Sequence, residues 1–337
     1  MKNNFIPPPN LSNSTGDERK IGVEFEFAGI NLPEVADIIQ KRYGGNIQTI
    51  STFAIEITDT RLGKFGIELD AQLIRDKKYE ALLKKVGINL SKLKKKKEIE
   101  DILAEIASAI VPFEIVSPPV PFSKLPDLNL LVDDMRDKKA EGTGTSFLHA
   151  FGLHLNPEIP EIHVNTILNF LKSFIVLEDW IRKDADIDLS RRITPFIDDF
   201  DVAYKLLILN SEYTPDMSQF IDDYLKNNPT RNRPLDLLPL LEFIDKEKVQ
   251  DIIDDDLTSA RPAFHYRLPD CNIDQNEWSI AVEWNRWVLV EKLATDTDSL
   301  KKLSVEYLTM HKNELFGFKS KWIRKVHRWI YNVYREA

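Results

Sequence analysis

The sequence has one cysteine, Cys271, in 337 residues. A single thiol cannot close an internal disulfide or build a thiolate zinc cage, which excludes a disulfide scaffold, a zinc finger and dithiol redox chemistry. Glycine is scarce, at 12 residues, and neither a Walker A sequence nor a Gly-rich dinucleotide fingerprint occurs. No run of about 18 apolar residues exists, and the opening stretch from Met1 to Pro9 lacks the apolar segment of a signal peptide. A cytoplasmic setting is therefore expected. Positive charge is also in the minority, with 45 Lys and Arg against 54 Asp and Glu and a formal net charge of −9. That balance lacks the general basic footprint of a nucleic-acid or anionic-membrane binder, so partners of those two kinds are not expected. What is present, 43% hydrophobic and 29% charged residues, suits an ordinary globular chain of one large domain or two.

Residues 1–18, with Pro7-Pro8-Pro9 and then small polar residues, read as a flexible N-terminal arm. From Lys20 to Ala28 the pattern alternates: Ile21, Val23, Phe25 and Phe27 face one way, Gly22, Glu24 and Glu26 the other. That predicts a half-buried strand with a carboxylate face. A helix over Leu32–Tyr43 ended by Gly44-Gly45 follows, then strands at Asn46–Thr58 and Lys64–Asp70, a helical stretch at Arg75–Ile110, and strands at Val111–Val116 and Phe147–Asn156. After Pro160 amphipathic patterns predict helices at His163–Arg182, Phe196–Asn210, Met217–Asn227 and Leu235–Ile253. Strands are expected again at Pro262–Leu268 and Trp278–Trp284, and helices near Trp287–Leu293, Ser299–His311 and Lys319–Tyr334. Strands at both ends around a helical middle predict an α+β domain with an antiparallel sheet, formed by 19–160 and 260–337 and enlarged by a helical insertion at 161–259.

The acids are the chemical signal. Glu24 and Glu26 sit two apart on one strand face and can converge on one or two cations. Glu114, the pair Glu68 and Asp70, and Glu283 also lie in strongly apolar, strand-like segments, where an ionised group is expensive unless paired or metal-bound. Oxygen ligands of this kind suit Mg2+ or Mn2+. Gly152, His154 and Asn156 share one face of their strand, and Arg261, His265 and Arg267 share another, where guanidinium groups can partner carboxylates or phosphates. Each group read alone also fits structural pairing. Glu141–Ser146 is a polar loop able to close over phosphates, the basic run Lys92–Lys97 reads as an exposed helix start, Asp254-Asp255-Asp256 as a solvated turn, and the basic aromatic helix carrying Trp322, Trp329, Tyr331 and Tyr334 as one docked on the domain.

Four of these segments together resemble the amidoligase family, relatives of glutamine synthetase and glutamate-cysteine ligase. Gly22-Val23-Glu24-Phe25-Glu26 looks like its Gly-x-Glu-x-Glu strand, Glu114-Ile115-Val116-Ser117-Pro118 its Glu-x-x-Ser-Pro segment, Gly152-Leu153-His154-Leu155-Asn156 its Gly-x-His-x-His/Asn strand, and Val282-Glu283-Trp284-Asn285 its late Glu-x-Arg strand. The resemblance implies a glutamine-synthetase-like funnel of antiparallel strands and an ATP-dependent carboxylate-amine ligase working through an acyl phosphate. It implies Glu24, Glu26, Glu114, His154 and Glu283 as ligands to Mg2+ or Mn2+, with Arg261, Arg267, His154 and Asn156 toward ATP. Arg261, Arg267 and Asp70 would serve catalysis, and a carboxylate or His265 would take the amine proton. The partners expected are a small-molecule or peptide carboxylate and an amine, with a homo-oligomer possible. One departure stands out: Asn285 replaces the family's arginine, and Arg286 falls on the opposite strand face. Three alternatives stay open: a non-catalytic binding protein on the same fold, a phosphotransferase of guanidino-kinase type, and a metal-dependent hydrolase using the same acids.

Overall fold

The computed structural model describes residues 4–69, 113–143, 151–187, 197–253, 259–314 and 317–335. The Arg75–Ile110 helix, Asp70, Gly144–Ser146 and the Asp254–Asp256 turn lie outside the described residues. Strand β1 (Lys20–Phe27) has the alternation its sequence predicts, with Ile21, Val23, Phe25 and Phe27 buried and Glu24 and Glu26 half-buried on the other face. Helix α1 (Leu32–Tyr43) begins where the Asn31 side chain accepts the Glu34 N–H at 3.0 Å. It ends at Gly44-Gly45, both at positive φ; a Cβ on Gly45 would stand 2.4 Å from the Thr58 carbonyl oxygen. The single strand expected over Asn46–Thr58 is a hairpin, β2 (Asn46–Ser51) and β3 (Ala54–Thr60), followed by β4 (Gly63–Leu69), β5 (Phe113–Val116) and the short β6 (Val120–Pro121).

Helix α2 (Leu125–Asp137) leads to β7 (Leu153–Pro157) and the long helix α3 (Val164–Asp184). The middle of the chain holds α4 (Val202–Leu209) and α5 (Met217–Asn227), but the helix expected at Leu235–Ile253 is in fact β8 (Leu235–Asp236), α6 (Leu238–Ile244) and α7 (Lys246–Gln250). Of Pro262–Leu268 only His265–Tyr266 forms a strand, β9, although isolated bridges at Ala263 and Asp270 keep the segment extended beside β7. The strand expected at Trp278–Trp284 is absent. Helix α8 (Ile280–Thr295) occupies that sequence, and α9 (Thr297–Asn313) and α10 (Phe318–Arg335) follow.

The strands form an open antiparallel sheet in the order β2-β3-β4-β5-β1-β7-β9-β8, with β6 paired to β1, so the fold is α+β. Helices cover one face. Helix α1 packs on β3 and β4, while Phe170 of α3 stacks on Phe264 at 4.8 Å and Trp287 of α8 lies 5.3 Å from Tyr266. Helix α10 docks on α3 through Trp322, whose indole N–H donates to the Val176 carbonyl at 2.9 Å. No helix among the described residues is long and apolar enough to cross a membrane.

The segment expected to be a free arm is laid on the domain. The Ile6 backbone is held on both sides, its N–H by the Asn285 side chain and its carbonyl by the Trp284 indole, each at 2.9 Å. Arg19 is fully buried, forks onto Glu291 of α8 at 2.7 and 2.9 Å, and lies over the Phe122 ring. Proline-rich composition signals little local structure. It does not forbid docking when the backbone polar groups find partners on the domain.

Candidate active site

The face of the sheet opposite these helices carries the acids because of register. Glu26 of β1 stands directly opposite Glu114 of β5, and Glu114 opposite Glu68 of β4. Three carboxylates thus form one row across adjacent strands, where opposed Cα atoms are about 4.5–5.5 Å apart and like charges are destabilising. Two residues along β1 on the same face, Glu24 pairs with His154 of β7, and Gly22 with Asn156. Ser117 fixes this register: its hydroxyl accepts the Val23 N–H at 2.8 Å and its own N–H donates to the Val23 carbonyl at 2.9 Å.

These groups line a cleft of about 1000 Å³. Glu24, Glu26, Glu68, Glu114, His154 and Asn156 form its floor, and Arg231, Arg261, His265 and Arg267 stand on the side of β9. Asn13, Asp17 and Glu18 of the N-terminal segment contribute to the rim. The His154 Nδ1 lies 2.9 Å from Glu24 Oε2 and 3.8 Å from Glu114 Oε1, and its Nε2 3.4 Å from Glu26 Oε1. Glu26 also accepts the Gly152 N–H. Asn156 bridges the two walls, donating to Glu24 Oε1 at 2.9 Å while its Oδ1 accepts from Arg261 Nη2 at 2.8 Å and lies 2.6 Å from His265 Nδ1.

Charge is sharply divided in this space. Burial works to raise the Glu24 carboxyl, but the neighbouring imidazoles of His265 and His154 and the Arg261 guanidinium outweigh it and hold the group well below the ordinary carboxylate range. Burial pushes His265 well below its ordinary value; Glu24 opposes this, while His154, Arg261 and Arg267 reinforce it. Glu68 is raised, by burial first and then by Glu24. Behind the arginines, the fully buried Asp236 is raised by burial to about 6, a rise restrained by the Leu238 N–H and by Arg267, Arg231 and Arg261.

A family model described as "Putative amidoligase enzyme" matches residues 17–289. The chain belongs to the amidoligase family. Membership supports a ligase. No curated protein and no solved structure gives a significant match.

Within this amidoligase chain the structure brings together Glu24, Glu26, Glu114, His154, Asn156, Arg261 and Arg267, all of which line the one cleft. Asp70 lies outside the described residues. Glu283 is a correction. It sits on α8, not on a strand, it is not among the residues lining the cleft, and it is buried against Arg286, whose Nη1 donates to it at 2.7 Å. Helical spacing puts residues three apart on one face, so Arg286, which a strand would have pointed away, is its partner. The Asn285 departure has a local explanation too: its side chain fastens Asn4 and Ile6. The polar loop after Glu141 is packed at its start, with the Thr143 N–H on the Cys271 carbonyl, and a Cβ on Gly142 would stand 2.4 Å from that same oxygen.

Sequence reasoning set Glu68 apart only as an echo of the acidic pattern, and register makes it the third member of the row. Arg231 and Asp236 gave no usable signal. Arg231 reaches the cleft from the loop after α5, and Asp236 of β8 stands buried behind the arginines, both in sequence that reads as helical insertion. Arg231 also anchors the wall through its backbone, accepting from Arg267 Nη1 at 2.7 Å.

Proposed function

We propose that the chain is an ATP- and Mg2+-dependent carboxylate-amine ligase, forming an amide or peptide-like bond through an acyl phosphate. The observation that carries this reading is the division of one cleft into a row of opposed carboxylates and a wall of arginines. Opposed acids on neighbouring strands are unfavourable by themselves and suit a hard divalent cation, so the donor set fits Mg2+. The cleft volume is at the upper end of ordinary ligand pockets and accommodates a nucleotide with a second substrate. On this reading the acid-lined face corresponds to the strand funnel of glutamine-synthetase-like ligases, residues 19–160 and 260–337 form the catalytic unit, and the insertion at 161–259 supplies Arg231.

Glu26 and Glu114, with Glu24 and His154 beside them, would hold the cation, which when bound neutralises phosphate charge and orients it for transfer. Arg261 and Arg267 bind and orient the anionic groups, the nucleotide phosphates and the substrate carboxylate. Asn156 keeps Glu24 and Arg261 in register with each other through its two amide ends. Once the carboxylate carries the γ-phosphoryl group of ATP, the amine attacks the acyl carbon and phosphate leaves. Glu68, at the end of the row and with its carboxyl raised by burial and by Glu24, would accept the amine proton.

The test is release of ADP and phosphate by the purified chain with Mg2+ and a panel of carboxylates, with and without amines. Amine-dependent release supports ligation, a stable phosphorylated product points to a kinase, and turnover without nucleotide to a hydrolase. Glu24→Ala combined with Glu26→Ala should weaken Mg2+-dependent ATP binding by at least about 100-fold; unchanged binding would sink the proposal.

A further inference from the structure

Asp236 is a buried acid that none of the chemistry above uses. It stands on β8 directly opposite His265 in the ladder, so its side chain leaves the same face of the sheet, yet it is fully buried. Its Oδ1 accepts the Leu238 N–H at 2.9 Å, while its Oδ2 has no hydrogen-bond partner among the described residues. A carboxylate oxygen shut away from water without a donor is costly, and a group kept at that cost calls for a reason. We propose that Asp236 is a positioning residue of the arginine wall: it competes with an incoming anion for the guanidinium charge of Arg231, Arg261 and Arg267, and takes up one proton when the anion binds. That the anion is a nucleotide phosphate rests on the ligase reading; the competition itself needs only an anion.

The surroundings of Asp236 come from four elements. Arg261 and Arg267 flank β9, and Arg231 comes from the loop between α5 and β8; all three line the cleft and all three act on the Asp236 carboxyl. Across the ladder, burial pushes His265 well below its ordinary value. On α5, burial pushes the Tyr224 phenol well above its own, and the Leu237 N–H donates to that phenol at 3.0 Å. Both groups are therefore neutral near pH 7, which leaves the arginines as the charges that bear most on Asp236. The wall is also tied across itself, because Arg267 Nη1 donates to the Arg231 carbonyl at 2.7 Å. A change of charge behind one guanidinium thus falls on a single connected group.

The coupling has a defined sign. Burial favours the protonated carboxyl and the three guanidinium groups favour the charged one, with the balance at about 6. An anion laid on those guanidinium groups offsets the charge that restrains the rise, so the proton affinity of Asp236 climbs further. A proton from solvent then forms an O–H bond on the carboxylate, and no other bond changes. Anion binding accordingly tightens as pH falls through the neutral range. When the anion departs the proton follows it, and Asp236 regains its hold on the arginines, which speeds release of an anionic product.

The experiment is calorimetric titration of the full chain with MgATP in buffers of different ionisation enthalpy, from about pH 6 to about pH 8, repeated on Asp236→Asn. Expected for the unaltered chain are uptake of about half a proton or more per ATP near neutral pH and an affinity that falls about tenfold across the range. Asp236→Asn should lose both the uptake and the slope, and bind MgATP about tenfold more tightly than the unaltered chain at the alkaline end. A purely structural Asp236 would change stability and leave the proton count where it was. Infrared difference spectra of the unaltered chain need no variant: anion binding should add a protonated-carboxyl carbonyl band. No uptake and no such band, or equal uptake and slope in Asp236→Asn, would overturn the proposal. Sulfate, ionised throughout this range, is titrated in parallel. Proton-linked sulfate binding without ATP binding removes only the ligase reading; ATP binding with the same proton count in Asp236→Asn removes only the role of Asp236; proton-linked binding of neither anion overturns that role as well.

Discussion

Glu291 and Glu26 are both acids set in apolar sequence, yet they meet opposite surroundings. Glu291 is buried under the Arg19 fork and also accepts the Trp287 indole N–H at 2.8 Å. Glu178 is buried between Arg182 and Lys205, and Glu283 against Arg286. Each of these acids has a cation built into the chain. Glu26 instead faces Glu114 across the ladder, with an imidazole nitrogen 3.4 Å away. Acids matched by guanidinium or ammonium groups hold the fold together, whereas the acids set opposite other acids are, on the proposed reading, the ones that would take a cation from outside. Burial alone does not separate the two kinds; the identity of the nearest charged neighbour does.

The comparison can be broken by measuring stability in the metal-free chain. Glu291→Ala strands the Arg19 charge in the core and should cost about 3–5 kcal/mol in urea unfolding. Glu178 is next. Burial acts to raise its carboxyl, but Lys205 and Arg182 hold it down at about 2, against 4.5 when free. Its stabilisation is therefore complete above pH 4.5 and is lost as pH falls toward 2, by about 3 kcal/mol. The stability gap between the unaltered chain and Glu178→Gln should close over that range, and a gap that stays constant would remove Glu178 from the structural class.

Asp236 runs in the other direction. Raised from 3.8 to about 6, it costs stability in its charged form; the cost is absent below 3.8 and complete above 6. Asp236→Asn keeps an oxygen for the Leu238 N–H and should stabilise the chain by about 3 kcal/mol above pH 6 and by nothing below 3.8. The smallest effect is expected from Glu26→Gln, which still accepts from Gly152 and relieves the repulsion with Glu114; its unfolding free energy should move by about 1 kcal/mol or less. A loss as large as that of Glu291→Ala would mean that the cleft acids are structural after all.

The strand of Glu24 and Glu26 was legible because period-two alternation sustained over eight residues has one structural solution. Helix α1 was legible from its glycine stop, and the long helices from their stripes. The stretch at Trp278–Trp284 was misread because a short apolar run alternating with small residues fits a strand as well as the first turn of a helix. The pairing of Glu283 with Arg286, which decides between them, exists only once the helix is formed. The β2–β3 hairpin carries no Asn-Gly or Asp-Gly turn, and so went unmarked. In the site, the residues sharing a strand were readable, but the meeting of Glu26, Glu114 and Glu68 depends on register between strands far apart in sequence, which composition does not encode.

The docked N-terminal segment ties two distant events to one piece of chain. Ile6 is clasped by α8, Arg19 is locked to the same helix, and between them Asn13, Asp17 and Glu18 form part of the cleft's rim. Peeling this segment away would remove part of the cleft's rim and uncover the buried Arg19–Glu291 pair on α8. Access to the cleft and exposure of the core are thereby mechanically coupled, as a strap joins the buckle to the lid it closes.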